Sequence, residues 1–80
     1  MDNAKNISVV IAMITPGIIK LLMDNRGVTL EAASRILYNS SLYKTLEAEK
    51  TKAWRLGYPI LYDLLEEELA TGEITWPEEQ

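Results

Sequence analysis

Ser41 and Lys44 stand three residues apart in Ser41-Leu42-Tyr43-Lys44, the nearest this chain comes to a nucleophile with its own base. In penicillin-binding enzymes and β-lactamases a Ser-x-x-Lys pair starts acyl transfer, supported by Ser-Asp-Asn and Lys-Thr-Gly elements and an oxyanion hole. Neither companion element occurs here, and 80 residues leave no room for the large domain that carries them. A serine just before an apolar helical segment is the ordinary N-cap, so Ser40 and Ser41 read as helix starts. The densest carboxylate cluster is Glu66-Glu67-Glu68, with Asp63 and Glu73 nearby. Paired carboxylates run general acid–base chemistry or hold a hard cation. Consecutive residues on a helix point in different directions, however, and no Asp-x-Asn-x-Asp-Gly loop gathers these. Glu68 alone falls toward the Leu61, Leu64 and Leu65 side, where it is placed to meet a Lys or Arg of the middle segment.

The rest of the usual catalytic repertoire is missing. The chain has no histidine and no cysteine, which removes the common zinc, haem and iron–sulfur ligand sets and the familiar acyl-transfer triads. Gly17, Gly27, Gly57 and Gly72 are scattered and form no phosphate-cradling loop or dinucleotide fingerprint. The expectation is a non-enzyme with no catalytic residue, no cofactor, no metal and no small-molecule substrate.

The elements that would position these residues are helical. Ile7, Val10, Ile11 and Ile14 share one side of a helix, with Val9 and Met13 widening the stripe. Pro16 predicts an end or kink near Thr15, and Thr15-Pro16 suits a new start. Ile18, Ile19, Leu22 and Met23 continue the apolar side until Asp24-Asn25-Arg26-Gly27 stops it. Thr29 is the next N-cap, ahead of a short helix burying Leu30, Ala33, Ile36 and Leu37 and ending near Tyr38. Asn39-Ser40-Ser41 leads to a segment carrying Leu42, Tyr43 and Leu46, and the pattern leaves open whether residues 42–56 form one helix or two. Pro59 opens a last helix striped with Ile60, Leu61, Leu64, Leu65 and Leu69, closed by Gly72. The reading is one all-α domain over residues 1–80, a compact bundle of four or five short helices, with residues 72–80 an extended tail.

Length and charge bound the rest. A domain of 80 residues without disulfide or zinc often gains stability from a second copy or a partner, so a protein partner or self-association is expected. The start at Met1 lacks the positive flank of a secretory signal. The apolar run over residues 7–23 holds Pro16-Gly17 and Lys20 and is shorter than the roughly 20 residues of a membrane span. A buried helix pair in a soluble, cytoplasmic protein is expected, with no membrane contact. Net charge is −4, with seven basic and four acidic residues from Lys20 to Arg55, and seven acidic and no basic residues from Leu56 onward. Lys44, Lys52 and Arg55, with Lys50 beside them, would share one side of a continuous helix and form a nucleic-acid patch with Tyr43 and Trp54. Against this, the overall acidity opposes the approach of phosphates. The six aromatics are all Tyr or Trp, types enriched at protein interfaces. Tyr43, Trp54, Tyr62 and Trp76 are therefore the candidate partner-binding residues, and Trp76 either folds back on its own bundle or docks on a neighbour.

Tyr38-Asn39-Ser40-Ser41-Leu42-Tyr43-Lys44-Thr45-Leu46 resembles the Tyr-x-Ser-x-x-Tyr-x-x-Leu core of a group of small, largely uncharacterised bacterial proteins. Thr51-Lys52-Ala53-Trp54, Leu61-Tyr62-Asp63-Leu64-Leu65-Glu66-Glu67 and Gly72-Glu73-Ile74 continue the likeness, which spans about residues 28–77. Where that group tends to have a serine before the last helix, this chain has Gly57-Tyr58. Similar proteins are often encoded near toxin–antitoxin-like modules, so the resemblance implies an antitoxin-like or accessory binding role. It transfers no catalytic residue. The expected function is a non-enzymatic protein-interaction module, with a DNA-binding regulator using residues 44–55 as the alternative.

Overall fold

A computed structural model describes the backbone of residues 3–48 and 53–77, and the side chains of residues 9–48 and 55–77. The described residues are all-helical, without strands. Helix α1 (Asn3–Arg26) is followed by α2 (Leu30–Tyr38), α3 (Ser41–Glu47), a 3₁₀ turn (Ala53–Leu56) and α4 (Tyr58–Thr71). Residues 73–77 carry no regular secondary structure. Residues 78–80 of the expected tail lie outside the described residues.

The proline does not break the first helix. Helix α1 runs through Pro16 for 24 residues, so the helix pair expected from the sequence is a single element. Pro16 and Ala12 are both exposed. The Ala12 carbonyl, which a residue at 16 with an N–H would have served, is therefore on the solvent side, where water can reach it. On the buried side the Thr15 hydroxyl starts no new helix; it donates to the Ile11 carbonyl at 2.7 Å. Ile11 before the proline and Ile18 and Leu22 after it are buried in one core, which holds the two halves in line.

Helix ends follow local chemistry. Gly27 takes φ +67°, open to glycine without strain, and its N–H donates to the Met23 carbonyl at 3.0 Å to close α1. The Thr29 hydroxyl accepts from the Ala32 N–H at 3.1 Å and starts α2. The Ser40 hydroxyl accepts from the Tyr43 N–H at 3.0 Å and donates to the Leu37 carbonyl at 2.6 Å, joining the end of α2 to the start of α3. Helix α3 stops at Glu47, with Ala48 extended. Residues 42–56 are thus not one helix, and residues 49–52 of the polar stretch lie outside the described residues. Pro59 stands in the first turn of α4 as expected.

Helix α1 packs against α2, α3, α4 and the 3₁₀ turn. The core joins Ile18 and Leu22 of α1 to Leu37 of α2, Leu42 and Leu46 of α3, and Leu61 and Leu65 of α4, all fully buried. Several expected core positions prove to be outside it. Val9 and Met13 do not widen the buried stripe of α1; they are 55 % and 73 % exposed. Leu30 in the first turn of α2, and Ile60 and Leu69 on the margins of the α4 stripe, are also exposed. Each sits at a helix end or at the edge of a stripe wider than the surface available to cover it.

At Gly17 helix α1 lies directly under the Tyr58 side chain at the start of α4. A Cβ at Gly17 would lie 2.7–2.9 Å from the Tyr58 ring, inside contact distance. Alanine at 17 gains up to about 1 kcal/mol of helix propensity, while displacement of the ring costs about 1–3 kcal/mol. Gly17→Ala is therefore expected to lower the urea midpoint in the wild-type background and to raise it in a Tyr58→Ala background. Equal effects in both would disprove the contact.

Candidate functional site

The outer face of α1 is the most distinctive surface. No charged side chain occurs between Lys5 and Lys20, a run of 14 residues in a chain that is 25 % charged. Ile11, Thr15, Ile18 and Leu22 follow helical spacing along the buried side. Val9, Ala12, Met13 and Pro16, at i, i+3, i+4 and i+7, follow the same spacing along the exposed side. Tyr58, 42 % exposed, borders this strip where its ring covers Gly17. An exposed helix side normally carries the polar half of an amphipathic pattern. Here it is apolar.

Polar groups beyond this strip hold the frame that presents it. Near the end of α1, Arg26 forms a forked ion pair with Glu66 of α4, its Nε and Nη2 donating at 3.0 and 2.7 Å. The Tyr62 hydroxyl donates to the same carboxylate and accepts from Asn25 Nδ2 at 3.2 Å. The Arg26 hydrogen bonds, helped by that of Tyr62, hold the Glu66 carboxyl below its ordinary value despite partial burial. Burial first, and the bonded carboxylate second, push the Tyr62 phenol up.

Of the sequence-predicted contact residues, Tyr43, Tyr62 and Trp76 have described side chains, and each has its own surroundings. Tyr62 is 8 % exposed and belongs to the α1–α4 joint, so it is a core residue rather than an aromatic edge. Tyr43 is half-buried, its ring edge-on to Tyr38 with centroids 4.9 Å apart. Burial, followed by the charge of Glu47, raises its phenol pKa. Trp76 folds back on its own bundle, half-buried beside Ile74 against the core. Glu67 clamps that tail, accepting from the Thr75 N–H at 2.9 Å and the Thr75 hydroxyl at 2.7 Å. These bonds lower its carboxyl pKa. Trp54 lies in the 3₁₀ turn, and its side chain is outside the described residues.

Glu68 meets neither Lys nor Arg in the described hydrogen bonds. Its carboxylate accepts from the Ser41 N–H at 2.8 Å and the Leu42 N–H at 3.1 Å, covering the first turn of α3 from α4. Two otherwise orphaned helix donors are a natural partner for a carboxylate. Ser41, the potential nucleophile, is exposed within that cap. Lys44 and Arg55 do not share a continuous helix, because α3 ends at Glu47, and Lys50 and Lys52 lie outside the described residues. Among the described residues, no group of three or more His, Cys, Asp or Glu is placed to hold a metal ion. No helix there is long and apolar enough to cross a membrane.

Sequence reasoning placed Val9 and Met13 in the core and passed over Ala12 and Pro16. The available signal was the missing charge between Lys5 and Lys20, which is unexpected for a helix with an open side. Family models, curated proteins and solved structures give no match to the chain. The functional reading therefore rests on this geometry.

Two outcomes check the frame. A carboxyl lowered in the folded state contributes stability in full above its ordinary pKa near 4.5, and that contribution is lost as pH falls through the lower folded value. Glu66→Gln is expected to weaken the fold at pH 7 and to flatten the fall in stability as pH drops below the ordinary carboxyl value near 4.5, read from urea midpoints. Glu68→Ala is expected to cost about 1–2 kcal/mol through loss of the α3 cap. An unchanged midpoint would show that the cap contributes nothing.

Proposed function

We propose that this protein is a non-enzymatic interaction module that binds a protein surface through the uncharged outer face of α1. The observation that carries the reading is the exposure of Val9 and Met13 together with Ala12 and Pro16, on a helix whose other side already fills the core. An apolar helical strip with i, i+3, i+4, i+7 anchors is a common way for one chain to hold another. The groups that resemble catalytic ones support the same reading. Ser40, Glu67 and Glu68 cap helices or hold the tail, and Glu66 and Tyr62 bind α1 to α4.

A photo-reactive residue tests the face directly inside the source cell. Placed at position 13 it is expected to give discrete adducts with a protein, either a further copy or another chain. Placed at Asp63, an exposed position on α4, it is expected to give none. Introducing Val9→Glu into the position-13 variant should remove the adducts while leaving the helical circular dichroism unchanged. Equal labelling from positions 13 and 63 would refute the assignment.

A further inference from the structure

We infer that residues 74–77 form a strap that opens and closes on the folded bundle, latched to α4 by the contact between Thr75 and Glu67. The device is independent of the contact-face reading above. Helix α4 and its closing turn are complete before the strap begins. Gly72 takes φ +85°, and a Cβ there would meet nothing within 4 Å. The Thr71 hydroxyl accepts from the Glu73 N–H at 3.1 Å and donates to the Glu67 carbonyl at 2.9 Å. Through Glu73 the chain is therefore fastened to the helix end itself. Beyond Glu73, the described hydrogen bonds are the two from Thr75 to the Glu67 carboxylate.

Burial alternates along this segment. Ile74 and Trp76 are half-buried against the core, whereas Glu73, Thr75 and Pro77 are exposed. One side of the strap thus covers the core while the other carries the latch. The bundle does not need the strap to be filled, because its fully buried large side chains all belong to the four helices. The latch itself is exposed to solvent. Water competes there for both bonds, so each has a small net weight and the closed state is favoured by a small margin.

Stiffness lets so few contacts hold the segment. Ile74 and Thr75 are β-branched, and Pro77 disfavours helical backbone at Trp76. Those restrictions act in the open segment as well as the closed one, so closure freezes less freedom than it would in a flexible tail. They also make residues 74–77 move together, pivoting where the turn ends at Glu73. Opening carries Ile74 and Trp76 into water and bares the part of the core beneath them. Ser40, Glu68 and the Arg26–Glu66 pair hold the helices in either state. Access to apolar surface at this end is thereby set by one carboxylate and one threonine.

Fluorotryptophan incorporated into the full chain reports the strap by fluorine magnetic resonance, the Trp76 signal being assigned with Trp76→Phe. In urea the Trp76 resonance is expected to reach its solvent-exposed position before the helical circular dichroism is lost. Glu67→Ala removes both latch bonds and is expected to raise the open fraction about tenfold, moving the Trp76 resonance toward that position. Thr75→Val removes the hydroxyl bond alone and is expected to move it less. Both variants should keep the circular dichroism midpoint of the wild type. Asp63→Ala, which removes an exposed carboxylate of α4 with no part in the latch, is expected to leave the resonance in place. Loss of the Trp76 and helical signals together at one urea concentration overturns the strap. So does an unmoved Trp76 resonance in Glu67→Ala, or an equal shift in Asp63→Ala.

Discussion

Everything in this molecule is arranged around one buried edge of α1. With no disulfide in the described chain, apolar packing must overcome most of the conformational entropy of a small domain. Ile11, Ile18 and Leu22 provide a continuous rail for that packing, and α2, α3, α4 and the 3₁₀ turn all lie against α1. The rail is continuous only because α1 passes through Pro16. Had the helix ended at Thr15, its two halves would have found separate orientations, and no single strip would be left on the outside.

Polar side chains then secure short helices that could not stand alone. Helix α3 has seven residues, well below the length at which an isolated helix is stable in water. It persists because Leu42 and Leu46 are buried and because Ser40 and Glu68 together bind the N–H groups of its first turn. The forked Arg26–Glu66 pair joins the end of α1 to the middle of α4, with Tyr62 completing the carboxylate's partners. Glu67 holds the tail so that Trp76 and Ile74 cover the core. Ser40, Glu66, Glu67 and Glu68, which look reactive in one dimension, are thus engaged in architecture.

Much of the fold was legible in the sequence, because the signals for helix ends are local. Gly27, Thr29, Ser40, Pro59 and Gly72 mark boundaries through the backbone geometry or hydroxyl each supplies, and the structure uses all five. The exposed apolar side of α1 was not legible. In α1 the apolar residues nearly encircle the helix, so periodicity does not distinguish inside from outside, and an expected break at Pro16 removed the one constraint linking the two halves. Tyr62 shows the same limit from the other direction. Its type suggests an edge, but only a neighbouring Asn25 and Glu66, one of them 37 residues away in the chain, allow its hydroxyl to be buried.

By itself the sequence determined the helical class, the end of α1, both ends of α2, the start of α3 and both ends of α4, and the absence of histidine and cysteine chemistry. These are matters of residue type and of contacts within a few positions. Tertiary structure alone decided that Pro16 would lie within a helix, that Glu68 would cap α3, and that Val9 and Met13 would face outward. The physical reason is that burial is a competition for a limited surface. Which apolar side of α1 wins depends on where Leu37, Leu46 and Leu65 arrive, and that is settled only when the whole chain has packed.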